Sequence, residues 1–279
     1  MALRRQEAQP STIQQDKGKS MTKFLFITSV LLFSRVNVTA QSRQDPRLQL
    51  ITRSQLLTSI AKTPLNSRQH GRLIGRARAS NLIPVAYVQY DKMWRKQPNN
   101  PYANYWRGIT AYQYEWLSGY KSSGVRITPD QRTQLWEAAR SGLQRAVELK
   151  PDFAAANSAY GSFLSAIPGE EKRGLDFMRK AVQLEPKTAG LWRSLGEVVI
   201  NPYFDFYDPK EGEQALLKAA RLDPLYAAPH YALIRLYVET KRFKEAQREL
   251  QIYTRLVGPQ KAASTIRFFK STIDKGLKT

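Results

Sequence analysis

The sequence predicts an all-α chain built as a solenoid of stacked helix-turn-helix hairpins, and three observations lead there. Pro151, Pro186, Pro224 and Pro259 stand 35, 38 and 35 residues apart. Between them the apolar residues keep the three-to-four spacing of amphipathic helices, and Ala146, Ala181 and Ala219 each lie five places before a proline. From Gln41 onward no run alternates β-branched and polar residues as a half-buried strand would. A period of this size marks one supersecondary unit copied several times, each copy burying its apolar face against its neighbours.

Taken in order, residues 41–100 hold N-terminal helices with a degenerate repeat. Asp45-Pro46 reads as the opening of a first helix, an acidic N-cap followed by proline at the first helical position. Leu48, Ile51, Leu56 and Ile60 give that helix its apolar face, and Pro64 and Asn66 end it. His70, Leu73, Ile74, Ala77, Ala86, Tyr90, Met93 and Pro98 then mark the degenerate unit. Clearer repeats fill 101–259, in units of about 101–151, 152–186, 187–224 and 225–259. In the first of these, Trp106, Ile109 and Trp116 belong to one helix and Ala139, Leu143 and Ala146 to the next, with a longer connection from Gly119 to Pro129. Residues 260–279 form a capping helix, with Ile266, Phe269 and Ile273 on the side that closes the last open face.

The residue types within the units carry a family resemblance. Trp192, Leu195-Gly196, Val199, Gly212, Leu216, Ala219 and Pro224 form one set, and Asn157, Tyr160-Gly161, Leu164, Gly174, Met178, Ala181 and Pro186 another. His230, Leu233, Ile234, Tyr237, Ala246, Leu250, Tyr253 and Pro259 follow in register. Small residues in both helices let the backbones approach, large ones fill the groove between hairpins, and proline ends the second helix. The pattern resembles the tetratricopeptide repeat (TPR), well over 101–259 and weakly over 67–100.

That resemblance implies a non-catalytic scaffold that binds a protein or peptide in the concave groove lined by the first helix of each repeat. Groove positions carried over from the family fall on Ser158, Ser162, Arg193, Glu197, Tyr231 and Arg235, with Arg107 and Tyr114 joining from the first clear unit. The alternative for each is ordinary solvated helix surface. The two-lysine, two-asparagine clamp that some relatives use for a terminal carboxylate is missing at the matching positions.

Composition narrows the function further. With 44 Lys and Arg against 23 Asp and Glu, the formal charge is +21, which favours anionic partners. Arg68, Arg72 and Arg76 recur every four residues with Arg78 adjacent, predicting one positive helix face. The second functional reading is therefore a basic module for an anionic polymer or membrane surface, in peripheral contact. No aromatic platform interleaves with the stripe, which disfavours nucleic acid. The chain has no cysteine, so disulfides and thiol chemistry are excluded. Its two histidines, His70 and His230, are far apart, and no phosphate-cradling glycine loop or nucleophile elbow occurs. No enzyme activity, metal or cofactor is expected.

Residues 21–40 read as a signal peptide: Lys23, the apolar run Phe24 to Phe33, then Val38-Thr39-Ala40 as a cleavage site. The polar stretch 1–20 would be an odd extension to it, so synthesis is expected to start at Met21. Export to a periplasm or outside the cell follows, and an uncleaved membrane anchor or an organelle transit sequence is the alternative. The run is too short for a true membrane span. Finally, Tyr203-Phe204-Asp205-Phe206-Tyr207 interrupts one hairpin, and it either packs back or offers a sticky contact.

Overall fold

The computed structural model describes residues 50–119 and 123–278. The 21–40 segment, the stretch before it, Asp45-Pro46 and Leu48 lie outside the described residues. Those described form twelve helices and no strand. A single helix α1 (Arg53–Lys62) precedes five hairpins. These are α2 (Gln69–Ala79) with α3 (Ile83–Lys96), α4 (Pro101–Ser118) with α5 (Pro129–Leu149), and α6 (Ala154–Leu164) with α7 (Glu171–Leu184). Next come α8 (Ala189–Val199) with α9 (Pro209–Leu222), and α10 (Ala227–Glu239) with α11 (Phe243–Val257). Helix α12 (Pro259–Gly276) caps the stack. None of these helices is long and apolar enough to cross a membrane.

The helix that carries Leu56 and Ile60 starts later than Asp45-Pro46, which lies outside the described residues. Residues 50–52 are not helical, and α1 starts at Arg53 behind a capping box. Thr52 Oγ1 accepts from the Gln55 amide and Gln55 Oε1 from the Thr52 amide, satisfying two donors that a helix start leaves open. Ile51 stays extended and buried, its amide donating to Ser80 Oγ at 2.9 Å.

Helix ends follow from proline. Gln97, Lys150, Glu185 and Asp223 terminate α3, α5, α7 and α9, each directly before a proline, with φ from −131° to −143° and ψ from 63° to 91°. The proline ring clashes with a helical conformation in the residue before it and so forces this exit. In three of these units the freed proline carbonyl is then taken by a side chain six residues on, in the next first helix. Asn104 Nδ2 donates to Pro98 at 2.7 Å, Asn157 Nδ2 to Pro151 at 3.1 Å, and Trp192 Nε1 to Pro186 at 2.8 Å. His70 Nε2 makes the same bond to Pro64 at 3.1 Å. In the fifth hairpin His230 stands six residues after Pro224, and its Nδ1 meets Glu249 of α11 at 2.6 Å.

Close backbone approach holds each hairpin together. A Cβ on Gly161 would meet the Gly174 carbonyl at 2.5 Å, and one on Gly142 the Asn104 carbonyl at 2.8 Å. Gly196 and Gly212 face each other in the fourth hairpin. In the outermost hairpins the corresponding positions carry Ile74 with Ala86 and Ile234 with Ala246, all buried.

Consecutive first helices touch one another (α4 with α6, α6 with α8, α8 with α10, α10 with α12), while the second helices stand farther apart. Long side chains span the wider outer spacing, as where Arg179 grips Glu211 with two bonds of 3.1 and 2.8 Å. The stack therefore curves with its first helices inward. The aromatic insertion packs back: Phe204 is buried, Phe206 lies against the α6–α8 core, and their rings are 5.0 Å apart. Of the five tryptophans only Trp106 is fully in the core, and its Nε1 donates to the Leu65 carbonyl.

Two outcomes test this packing. Gly161→Val should cost about 1–3 kcal/mol in chemical denaturation by overpacking. Gly71→Ala, whose Cβ would meet nothing within 4 Å, should be neutral or stabilising by up to about 1 kcal/mol. A further outcome concerns pH. Burial lowers the His70 pKa below its ordinary 6.5, and the neutral ring donates to Pro64 while accepting from the Tyr90 hydroxyl at 2.8 Å. Stability should thus be intact above pH 6.5 and decline as the pH falls below it, because the unfolded chain binds the proton first. His70→Asn should lower stability by about 1–3 kcal/mol, since Tyr90 loses its partner, and flatten that slope in thermal melts between pH 7 and pH 5.

Candidate functional site

Curvature brings the first hairpin opposite the fourth. Arg68, at the start of α2, reaches Glu185 at the end of α7, 3.4 Å away across 117 residues of sequence. At 3.6 residues per turn, Arg68, Gly71, Gly75 and Arg78 share a strip of α2 roughly 80° wide. Facing that strip, α8 presents Arg193 and Glu197, and Tyr226 stands at the start of α10. Counted from each proline, Gly71 and Gly75 occupy the register of Ser158 and Ser162, of Arg193 and Glu197, and of Tyr231 and Arg235. These positions lie along the inner face of the curved stack.

Its electrostatics are uneven. Arg193 Nη1 holds Glu197 Oε2 at 2.6 Å and its guanidinium lies 6.0 Å from the Tyr226 ring centre. Burial opposes the Arg193 charge, yet Glu197 and Tyr226 more than offset it and raise the pKa. Arg78 has no carboxylate partner and no hydrogen bond among the described residues, and its Nε is fully buried. Its pKa is pulled down to about 10, first by burial and then by the nearby Arg193 charge. The Arg193 Nε is likewise buried without an acceptor.

The other sequence-derived positions are distributed differently. Arg107 is drawn into the gap between α3 and α5: its Nε donates to Asp91 at 2.8 Å and its guanidinium lies 3.9 Å above Trp94. Arg107 and Arg95 together hold the Asp91 carboxyl below the usual range, against the opposing pull of burial. Tyr114 packs edge-on against Tyr87 at 6.0 Å. In this unit the register counted from Pro98 puts the wall positions on Tyr105 and Ile109, two residues earlier than Arg107. The six-residue interval from Pro98 to Asn104 carries the signal for this register. Ser158 and Tyr231 are both 7% exposed, and Tyr231 is covered by Phe269 of the capping helix at 5.9 Å. Ser162 and Arg235 remain half-buried. In the arginine stripe, Arg72 is exposed and Arg76 half-buried, while Arg68 turns to Glu185 at the end of the third hairpin and Arg78 lies near Arg193 of the fourth. No cluster of three potential metal ligands exists among the described residues.

No family model and no curated protein sequence matches the chain. Solved structures do. TTC0263, a thermophilic TPR protein of Thermus thermophilus, is 17% identical with a TM-score of 0.55, over 76% of this chain and 99% of its own. Human IFIT1, in a dimer with m7Gppp-AAAA, is 13% identical with a TM-score of 0.56 over 75% of this chain. That match takes in 47% of the IFIT1 chain, so this protein spans about half its length. At such identities the likeness speaks to the fold, which is a TPR-like all-α solenoid.

One measurement separates bracing from binding. Arg107→Met should lower stability by about 1.5–3 kcal/mol in urea unfolding, because Asp91 loses its better-buried partner. It should leave the binding properties of the inner face unchanged.

Proposed function

We propose that the chain is a non-catalytic scaffold that holds an extended segment of another protein in the channel between α2 and α8. The observation that carries this reading is the open strip at Gly71. A Cβ there would meet nothing within 4 Å, although the same strip lies near enough to the opposite wall for Arg68 to reach Glu185. Room for a backbone between two close walls suits an extended peptide, and half-buried arginines and tyrosines are favoured interface anchors. Likeness to TPR proteins adds support only by analogy of fold.

Selection of random peptides displayed on phage against the full chain should yield binders. Their affinity should fall at least tenfold in Gly71→Trp, which fills the channel, and survive in Gly71→Ala. Peptides that bind Gly71→Trp as tightly as the unaltered chain would overturn the channel. Should binding also fall steeply with salt, the second reading, a basic module for an anionic polymer or surface, would take its place.

A further inference from the structure

Arg78 of α2 and Arg193 of α8 each bury a guanidinium Nε that has no acceptor, and the Arg193 charge is near enough to act on Arg78. Glu185 is taken by Arg68 and Glu197 by Arg193, and Arg78 has no ion pair among the described residues. Folding has placed the Arg78 Nε and the Arg193 Nε out of reach of water with no acceptor. Each such group forfeits hydration without a compensating bond, and two like charges close together add repulsion. A fold that served only its own stability would place an apolar or neutral side chain at position 78. The pKa of Arg78, pulled down to about 10 by burial and by Arg193, records the same lack of an anion.

We propose that Arg78 and Arg193 form an anion subsite that grips one acidic side chain of the bound peptide across the channel, joining the first hairpin to the fourth. The inference rests on the peptide-channel reading and specifies its ligand chemistry. A carboxylate offers two oxygens to the forked donors of arginine, and bonds of this charge-assisted kind are the strong ones. Glu197 steadies Arg193 from the other side, so the guanidinium keeps its place while the outer donors and Nε turn to the guest. The Tyr226 ring beside it walls the subsite. The acceptor is sought on a peptide because the subsite lies inside a channel, beyond the reach of a flat lipid surface.

Two blocked hexapeptides of alternating alanine and glutamate, or alanine and glutamine, provide the test by fluorescence anisotropy. The full chain should bind the glutamate form at least tenfold more tightly. Arg78→Gln and Arg193→Lys should each shrink that preference, Arg78→Gln to near unity, while Arg248→Gln, at an exposed position on α11, should keep it. A preference that persists in Arg78→Gln would trace to overall charge and overturn the subsite, as would no preference in the unaltered chain. If both peptides bind equally and both are lost in Gly71→Trp, the channel stands and the subsite falls. A second readout needs no ligand. Arg78 is charged below pH 10 at a cost to the folded state, so Arg78→Gln should raise the melting temperature by roughly 2–4 °C. An unchanged or lower melting temperature would show that Arg78 is not held at a cost, and would overturn the proposal.

Discussion

The bond from a proline carbonyl to a side chain six residues later is the joint on which this solenoid depends. Proline does two things there. It expels the preceding residue from helical geometry and so ends the second helix of one unit. It also leaves a carbonyl at the boundary, near the first turn of the next helix, where an orphaned acceptor would be costly. Histidine, two asparagines and tryptophan answer it in four successive units. These side chains are chemically unlike, and what they share is an N–H at the right reach. Asn104 and Asn157 also donate to the carbonyl four residues back, so one amide stitches boundary and first turn together. Each unit is thereby aimed relative to the one before, and the curvature of the whole is the sum of these aims.

Curvature in turn creates the chemistry of the inner wall. Groups that no local pattern would associate, such as Arg68 with Glu185, meet because several hairpins of similar geometry bend the chain back towards itself. The outer wall is settled by internal needs. Arg242 bonds Glu213 and Glu245 while lying 4.5 Å over Tyr237, and Arg179 holds Glu211. Cations such as these have an anion beside them. The contrast with Arg78 is what gives the channel its chemical character.

How much could be read from residues alone follows the range of the interactions involved. Proline spacing, paired glycines and the capping helix are local or next-neighbour features, and they make the all-α solenoid legible. The start of α1 at Arg53 escaped because the capping box of Thr52 with Gln55 is a short local signal that was not read. The bond from the Ile51 amide to Ser80 Oγ, which ties down the residue ahead of that box, is a long-range contact. In the α4–α5 unit the register is set by Asn104, whose amide makes the boundary bond. Tyr231 looked like groove surface because its cover, Phe269, comes from a helix nearly forty residues further on. Arg78 and Arg193 lie still farther apart in sequence. Their proximity depends on the accumulated bend, which no single repeat encodes.

The six-residue interval from proline to a hydrogen-bonding side chain is constant through all five hairpins, yet the hairpins differ in length. The extra residues fall within two hairpins: α4 and α5 run to 18 and 21 residues with a longer connection between them, and the aromatic insertion lengthens the turn between α8 and α9. Both additions lie inside a hairpin, never at the boundary between hairpins. The ribbon of helices thus has one ruled margin and one free margin. Additions along the free margin leave the pitch of the stack alone, so this protein can gain or shed surface there while its inner curvature stays the same.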